Sequence, residues 1–134
     1  MTPDGRHATD QAESQGRRPR ALVVDDDQQV LGIVRRWLTD AAYDVVTATN
    51  YRDARRHLEA DRPDVLIVDV RLEEFNGMQL VLGARAILPA IRIVVISGFS
   101  DPVLEHEAAA QNAPYLSKPL TSEQLLAAIA PARP

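Results

Sequence analysis

Five side chains of types that handle phosphate and metal each follow an apolar run. Asp25 and Asp26 come after Ala-Leu-Val-Val (21–24), and Asp69 comes after Val-Leu-Ile-Val (65–68). Ser97 closes the apolar run 91–96, and Lys118 closes the short run 113–117. Three carboxylates brought together repel one another, and part of them stays protonated near neutral pH unless a cation joins them. A hard divalent ion answers that repulsion. Mg²⁺ typically takes one or two carboxylates and fills its remaining positions with water and phosphate oxygens. Such an ion would neutralise an incoming phosphoryl group and leave one carboxylate free to attack phosphorus. Ser97 can donate to a phosphoryl oxygen, Lys118 can pair with its charge, and Gly98 would let the backbone come close. Lys118 is the single lysine of the chain; every other basic residue besides the three histidines is arginine. A compact ammonium is a point charge and a guanidinium a planar fork, so the two are not interchangeable at a tight site. On its own stretch Asp69 can equally be a cap for the turn that follows.

These residues meet only if the chain folds so that the ends of the apolar runs share one edge. Runs of four or five Val, Leu and Ile suit strands buried on both faces. Between them lie helical patterns. Val30, Ile33, Val34, Trp37 and Leu38 form one apolar stripe behind an aspartate cap. Asn50 precedes a helix with Tyr51, Ala54 and Leu58 inward, stopped by Pro63. Leu80, Ala84, Ile87 and Leu88 line a third helix, ended by Pro89. Pro102 opens a fourth, which Asn112 closes in a left-handed conformation. Thr121 and Gln124 form a capping-box pair ahead of Leu125, Leu126 and Ile129. Five strands (21–24, 45–48, 65–68, 91–96 and 113–117) alternating with five helices predict an α/β fold. The expected form is a doubly wound, flavodoxin-like (βα)5 parallel sheet in the order 2-1-3-4-5, with ligands at the carboxyl edge. Residues 25–29 hold no glycine, so the dinucleotide-binding fingerprint is absent.

Composition limits the rest. The chain has 134 residues, net charge −4, 46% apolar residues and no cysteine, which suits one domain without disulfides or thiol chemistry. No apolar run approaches the ~20 residues of a membrane span, and no secretory leader is evident. The arginines are scattered and aromatics few, so direct nucleic-acid binding is not expected. A cytoplasmic location is the default. Residues 1–19 are polar and read as a disordered tail, with Arg17, Arg18 and Arg20 solvated; the domain proper is expected over 20–131, with a short tail at 132–134. His7, His57 and His106 show no acidic or histidine partner at metal spacing and read as surface residues.

Taken together, Val23-Val24-Asp25-Asp26, Asp69 with Gly77 eight residues on, Ser97-Gly98 and Tyr115-Leu116-Ser117-Lys118-Pro119 resemble the receiver domain of two-component response regulators, of the CheY-like type. The resemblance runs from about residue 21 to 129. It implies that Asp69 accepts a phosphoryl group from a phosphohistidine of a sensor histidine kinase or histidine phosphotransfer protein. It implies Mg²⁺ or Mn²⁺ on Asp26, Asp69 and the backbone carbonyl of Arg71, with Asp25 acting mainly through water. Ser97 and Lys118 would hold the phosphoryl oxygens, Ser97 and Tyr115 would form the switch, and Lys118–Pro119 would be a cis peptide. The changing face would be the fourth helix, fifth strand and fifth helix, contacting a downstream protein or a second copy. Glu73 replaces a usual proline. Arg71 and Phe99 hold the positions that tune phosphate lifetime, and slow self-dephosphorylation is expected. Without the resemblance, Tyr115 reads as a half-buried strand residue, Ser97 as a strand end, Asp27 as a helix cap and Trp37 as core or a partial interface. Two other readings remain: a pseudo-receiver that binds without phosphorylation, and a haloacid-dehalogenase-like phosphatase with Asp25 as nucleophile and Asp27 as acid. A chain ending after the fifth helix suggests a stand-alone receiver or a piece of a longer regulator.

Overall fold

Alternation within each strand sorts the apolar residues into two cores, one on either side of a single sheet. The computed structural model describes residues 17–72 and 77–130. Its elements run β1 (Arg20–Val24), α1 (Gln28–Asp40), β2 (Asp44–Ala48), α2 (Tyr51–Asp61), β3 (Val65–Asp69), α3 (Gly77–Ile87), β4 (Arg92–Ser97), α4 (Pro102–Ala110), β5 (Tyr115–Ser117) and α5 (Ser122–Ile129). All pairings are parallel, in the order β2-β1-β3-β4-β5. This is the expected doubly wound fold. Leu22, Val24, Leu66, Val68, Ile93 and Val95 face one way and pack with Ala54 and Leu58 of α2, Leu80, Val81 and Ala84 of α3 and Ala108 of α4. Ala21, Val23, Val65, Ile67, Val94 and Ile96 face the other way, toward Leu31, Val34 and Leu38 of α1 and Leu125 and Ile129 of α5. Side chains two apart along a strand share a face, so the short runs fill both cores at once. Each buried Leu or Ile contributes about 1.5–3 kcal/mol.

Helix starts follow the capping chemistry. Asp27 accepts from Gln29 N, Asn50 from Asp53 N, and Thr121 with Gln124 closes a full capping box. Asp101, one residue before Pro102, caps α4 through the N–H groups of Val103 and Leu104. Asn112 takes a positive φ of 56° after α4, as expected; Arg62 does the same after α2, at 47°, which the sequence did not signal. The α1 stripe is turned relative to its prediction. Leu31 is buried, whereas Ile33 is 51% exposed. Leu31, Val34 and Leu38 at i, i+3 and i+7 fill the core facing the sheet, and Ile33 falls beside that arc rather than on it. The strands are displaced by a residue or two at their ends: β4 begins at Arg92 and β5 at Tyr115. Ordered contacts also begin before the predicted boundary, because Pro19 is buried and its carbonyl accepts Asp44 N at 2.9 Å. Residues 1–16 of the expected tail, Glu73 and the 132–134 tail lie outside the described residues.

The amino edge of the sheet is closed by main-chain pairing. Asp64, 4% exposed, accepts Arg20 N on Oδ2 at 2.8 Å, and its own backbone pairs with Arg20 and Arg92. Arg85 reaches from α3 to the carbonyls of Pro89, Ile91 and Gln111, at 3.1, 2.5 and 2.7 Å. It thereby ties the C-terminal ends of α3 and α4 to the start of β4.

Candidate functional site

At the opposite edge the strand register delivers charge instead. Val24, Val68 and Val95 are level across β1, β3 and β4, so Asp25 and Asp69 leave the sheet side by side, while Ser97 stands one residue farther along β4, past Ile96. Lys118 follows β5, held by its N–H on the Ser97 carbonyl at 2.7 Å. Burial is uneven. Asp25 and Ser97 are inaccessible, Asp69 is 5% exposed, and Asp26 is exposed. One carboxylate oxygen from each of Asp25, Asp26 and Asp69 lies within 4.8 Å of the others, and this is the one such acidic group found among the described residues.

Each buried carboxylate is held by backbone on one oxygen and by Lys118 on the other. Asp69 Oδ1 accepts Arg71 N–H at 2.9 Å, and Oδ2 accepts Lys118 Nζ at 3.0 Å. Asp25 Oδ1 accepts Asp27 N–H at 2.9 Å. Its Oδ2 is 2.9 Å from Lys118 Nζ, and that ammonium, shared with Asp69, is the sole neighbour answering its charge among the described residues. Burial is the main cause that pushes the Asp25 carboxyl above its ordinary pKa; the Asp27 N–H and Lys118 pull it down, and the Asp69 charge adds to the rise. Burial by itself would lower the Lys118 ammonium, but its contacts with Asp25 and Asp69 outweigh that and hold its pKa above the usual value. Two buried carboxylates sharing one ammonium, with a third acid at the rim, leave negative charge uncompensated. The donor set is all oxygen, three carboxylates against one ammonium, which fits a hard divalent cation.

The predicted residues thus converge: Asp25, Asp26, Asp69 and Lys118 make one cluster, with Ser97 on the neighbouring strand end. Ser97 Oγ donates to the Phe99 carbonyl at 2.8 Å and accepts Phe99 N–H at 3.2 Å. Half-buried Tyr115 donates its hydroxyl to the same carbonyl at 3.2 Å. The Lys118–Pro119 peptide is cis. The Arg71 guanidinium stacks on the Phe99 ring, 4.0 Å from its centroid.

Some features were invisible or misread in the sequence. A Cβ at Gly77 would fall 2.2 Å from the Asp69 carbonyl oxygen and 2.8 Å from Val70 Cα. The first residue of α3 therefore abuts the strand end, with Gly77 N donating to Val70 O at 2.7 Å. At Gly98 a Cβ would meet no protein atom within 4 Å, so no packing contact within the chain calls for glycine there. The reading of His57 also needs correction. Its Nδ1 lies 2.6 Å from Asp61 Oδ2 one helical turn on, an i,i+4 pair overlooked because only metal spacings were sought. His106 is exposed, and His7 lies outside the described residues.

The response regulator receiver domain pattern matches residues 21–130. The chain belongs to that family. It is 34% identical over 114 residues to the transcriptional regulatory protein PrrA of Mycobacterium tuberculosis, covering 83% of this chain and 48% of that protein. It is 31% identical over 110 residues to GlrR of Escherichia coli, covering 81% of this chain and 24% of GlrR. The chain therefore spans about half, or less, of the length of these relatives. Among solved structures it resembles a Burkholderia pseudomallei response regulator holding a phosphorylated aspartic acid, a calcium ion and citrate, with TM-score 0.79 and 29% identity over 84% of this receiver and 66% of that chain. It also resembles the chemotaxis response regulator CheY4 of Vibrio cholerae, with TM-score 0.73 and 29% identity over 81% of this chain and 93% of that one. No helix among the described residues is long and apolar enough to cross a membrane.

Proposed function

We propose that this receiver accepts a phosphoryl group on Asp69 from a phosphohistidine of a sensor histidine kinase or histidine phosphotransfer protein. The observation that carries the reading is the sharing of Lys118 between Asp25 and Asp69, at 2.9 and 3.0 Å, with the Asp26 carboxylate within reach of both acids. Asp26, Asp69 and the Arg71 carbonyl would hold Mg²⁺, or Mn²⁺, with Asp25 acting through water. When bound, the ion supplies charge neutralisation at the phosphoryl oxygens and is needed because three acids crowd one edge.

The chain's own residues do the remaining work. An Asp69 carboxylate oxygen attacks phosphorus in line, the O–P bond forms, and the P–N bond to the donor imidazole breaks. Little covalent chemistry is asked of the protein, so rate comes from position and charge. Lys118 passes from Asp69 Oδ2 to a phosphoryl oxygen, exchanging one anionic partner for another. Ser97 turns its proton from the Phe99 carbonyl to a phosphoryl oxygen. Tyr115, bonded to the same carbonyl, follows that change, and the α4–β5–α5 face alters for a downstream protein or a second copy. A cytoplasmic location belongs to this reading.

Incubation with acetyl phosphate and Mg²⁺ followed by intact mass tests it. A gain of one phosphoryl group, abolished in Asp69→Asn, supports the proposal. No gain in the wild type favours a pseudo-receiver that only binds. Turnover of phosphate esters dependent on Asp25 alone would favour a phosphatase. Against that last reading, the Asp27 carboxylate, which it needs as an acid, is already the cap of α1.

A further inference from the structure

Three parts of the carboxyl edge meet at one residue of the β4–α4 loop, and their convergence has a consequence for how Ser97 is released. The Phe99 carbonyl accepts both Ser97 Oγ and Tyr115 OH, and the Phe99 N–H returns a bond to Ser97 Oγ. The Phe99 ring carries the Arg71 guanidinium at 4.0 Å. Arg71 is itself anchored on the other side of the mouth, its N–H on Asp69 Oδ1 at 2.9 Å. A hydroxyl has one proton. While Ser97 donates to Phe99 it cannot donate to a group on Asp69, and leaving Phe99 breaks a closed two-bond ring.

We propose that Arg71 is a positioning residue for Ser97. Acting through its stack on Phe99, it holds the β4–α4 loop where the Ser97 proton is kept off the phosphoryl position. The stack spans the two loops that flank the mouth, so it opposes any movement of Phe99 that frees Ser97 and Tyr115 from their common acceptor. Arg71 thereby sets the threshold at which phosphoryl binding recruits Ser97, apart from any shielding of the phosphate from water. This extends the phosphoacceptor reading of Asp69 and rests on it for the role of Ser97, but the latch exists in the phosphate-free protein and is testable there.

A cation–π contact at a partly exposed site shifts an equilibrium by about threefold. Amide hydrogen exchange in metal-free, phosphate-free protein is the first measurement. Arg71→Met and Phe99→Leu should each speed exchange at the Phe99 amide by about threefold. The double variant should do no more than either single one, because both remove the same contact, and Phe99→Tyr should restore the wild-type rate. Unchanged exchange in Arg71→Met, or additive effects in the double variant, would overturn the proposal whatever becomes of phosphorylation. The second measurement is titration with beryllium fluoride and Mg²⁺, which avoids hydrolysis. Arg71→Met should bind the phosphoryl mimic about threefold more tightly, and combining it with Ser97→Ala should abolish that gain. A gain that survives Ser97→Ala contradicts the role assigned to Arg71. If wild type fails to bind beryllium fluoride, the phosphoacceptor reading falls, and exchange at Phe99 alone then decides the latch.

Discussion

The two edges of the sheet are built from the same strands and solve opposite problems. At the amino edge a buried carboxylate, Asp64, is answered by a backbone N–H, and a guanidinium, Arg85, is answered by three carbonyls. At the carboxyl edge two buried carboxylates share one ammonium, and a third acid, Asp26, stands beside them. At one edge the opposite charges are answered locally, Asp64 by the Arg20 N–H and by the Arg17 guanidinium at 3.9 Å and Arg85 by carbonyls. The other is left with charge that a cation and a phosphoryl group would complete. Charge is balanced at one end and left in excess at the other.

Substitutions should separate the edges by size as well as by kind. Removing Arg85 as Arg85→Ala leaves three carbonyls to find other partners and should cost about 3 kcal/mol in denaturant unfolding, with divalent-ion binding unchanged. Gly77→Ala sits between the edges in character. Its Cβ meets backbone at 2.2 and 2.8 Å, which cannot give way as a side-chain tip would. It should cost about 1–3 kcal/mol and also weaken Mg²⁺ binding, because the Asp69 carbonyl must move. Wild-type Mg²⁺ affinity in a folded Gly77→Ala protein would show that the contact is mere packing. Asp25→Asn should go the other way. Removing a buried charge should raise metal-free stability by about 1 kcal/mol, seen as a higher Tm, while Mg²⁺ no longer stabilises the protein.

The effect of pH is the mildest probe and has a definite sign. Because the Asp25 carboxyl is raised in the folded state, the native protein binds more protons than the unfolded chain between the ordinary carboxylate pKa and the raised one. Metal-free stability from Asp25 therefore grows as pH falls through that window, whereas Mg²⁺ affinity falls, since the ion competes with the proton. Lys118 acts at the alkaline end. Its raised pKa means that the stability it lends is complete below the usual ammonium pKa and is lost as pH rises through the folded value. Parallel unfolding curves with and without Mg²⁺ across pH check both signs.

What could be read in advance follows from how local each signal is. Strand runs such as 65–68 and caps such as Asn50 and Thr121 are set by neighbours in sequence, and they stand where the patterns put them. The meeting of Asp25, Asp69 and Lys118 followed from strand order alone, because parallel strands deliver all their carboxyl ends to one edge. Ile33 was misplaced because five apolar residues fit a helical stripe while the sheet covers a narrower arc. The clamp of Arg85 had no sequence signature, and although Arg71, Phe99 and Gly77 were singled out by motif, the stack of the first two and the contact of the third with Asp69 were not foreseen. They depend on loop paths and distances between distant segments, which neither periodicity nor propensity encodes.

The central claim is that the incomplete edge is completed by a phosphoryl group on one particular carboxylate. Its most direct test is to label the protein with acetyl phosphate and Mg²⁺ and map the attached group by peptide mass, with and without hydroxylamine, which cleaves acyl phosphates. The group should lie on the peptide containing Asp69 and vanish with hydroxylamine. A stable modification on Ser97 or His57, or a label that persists in Asp69→Asn, would contradict it.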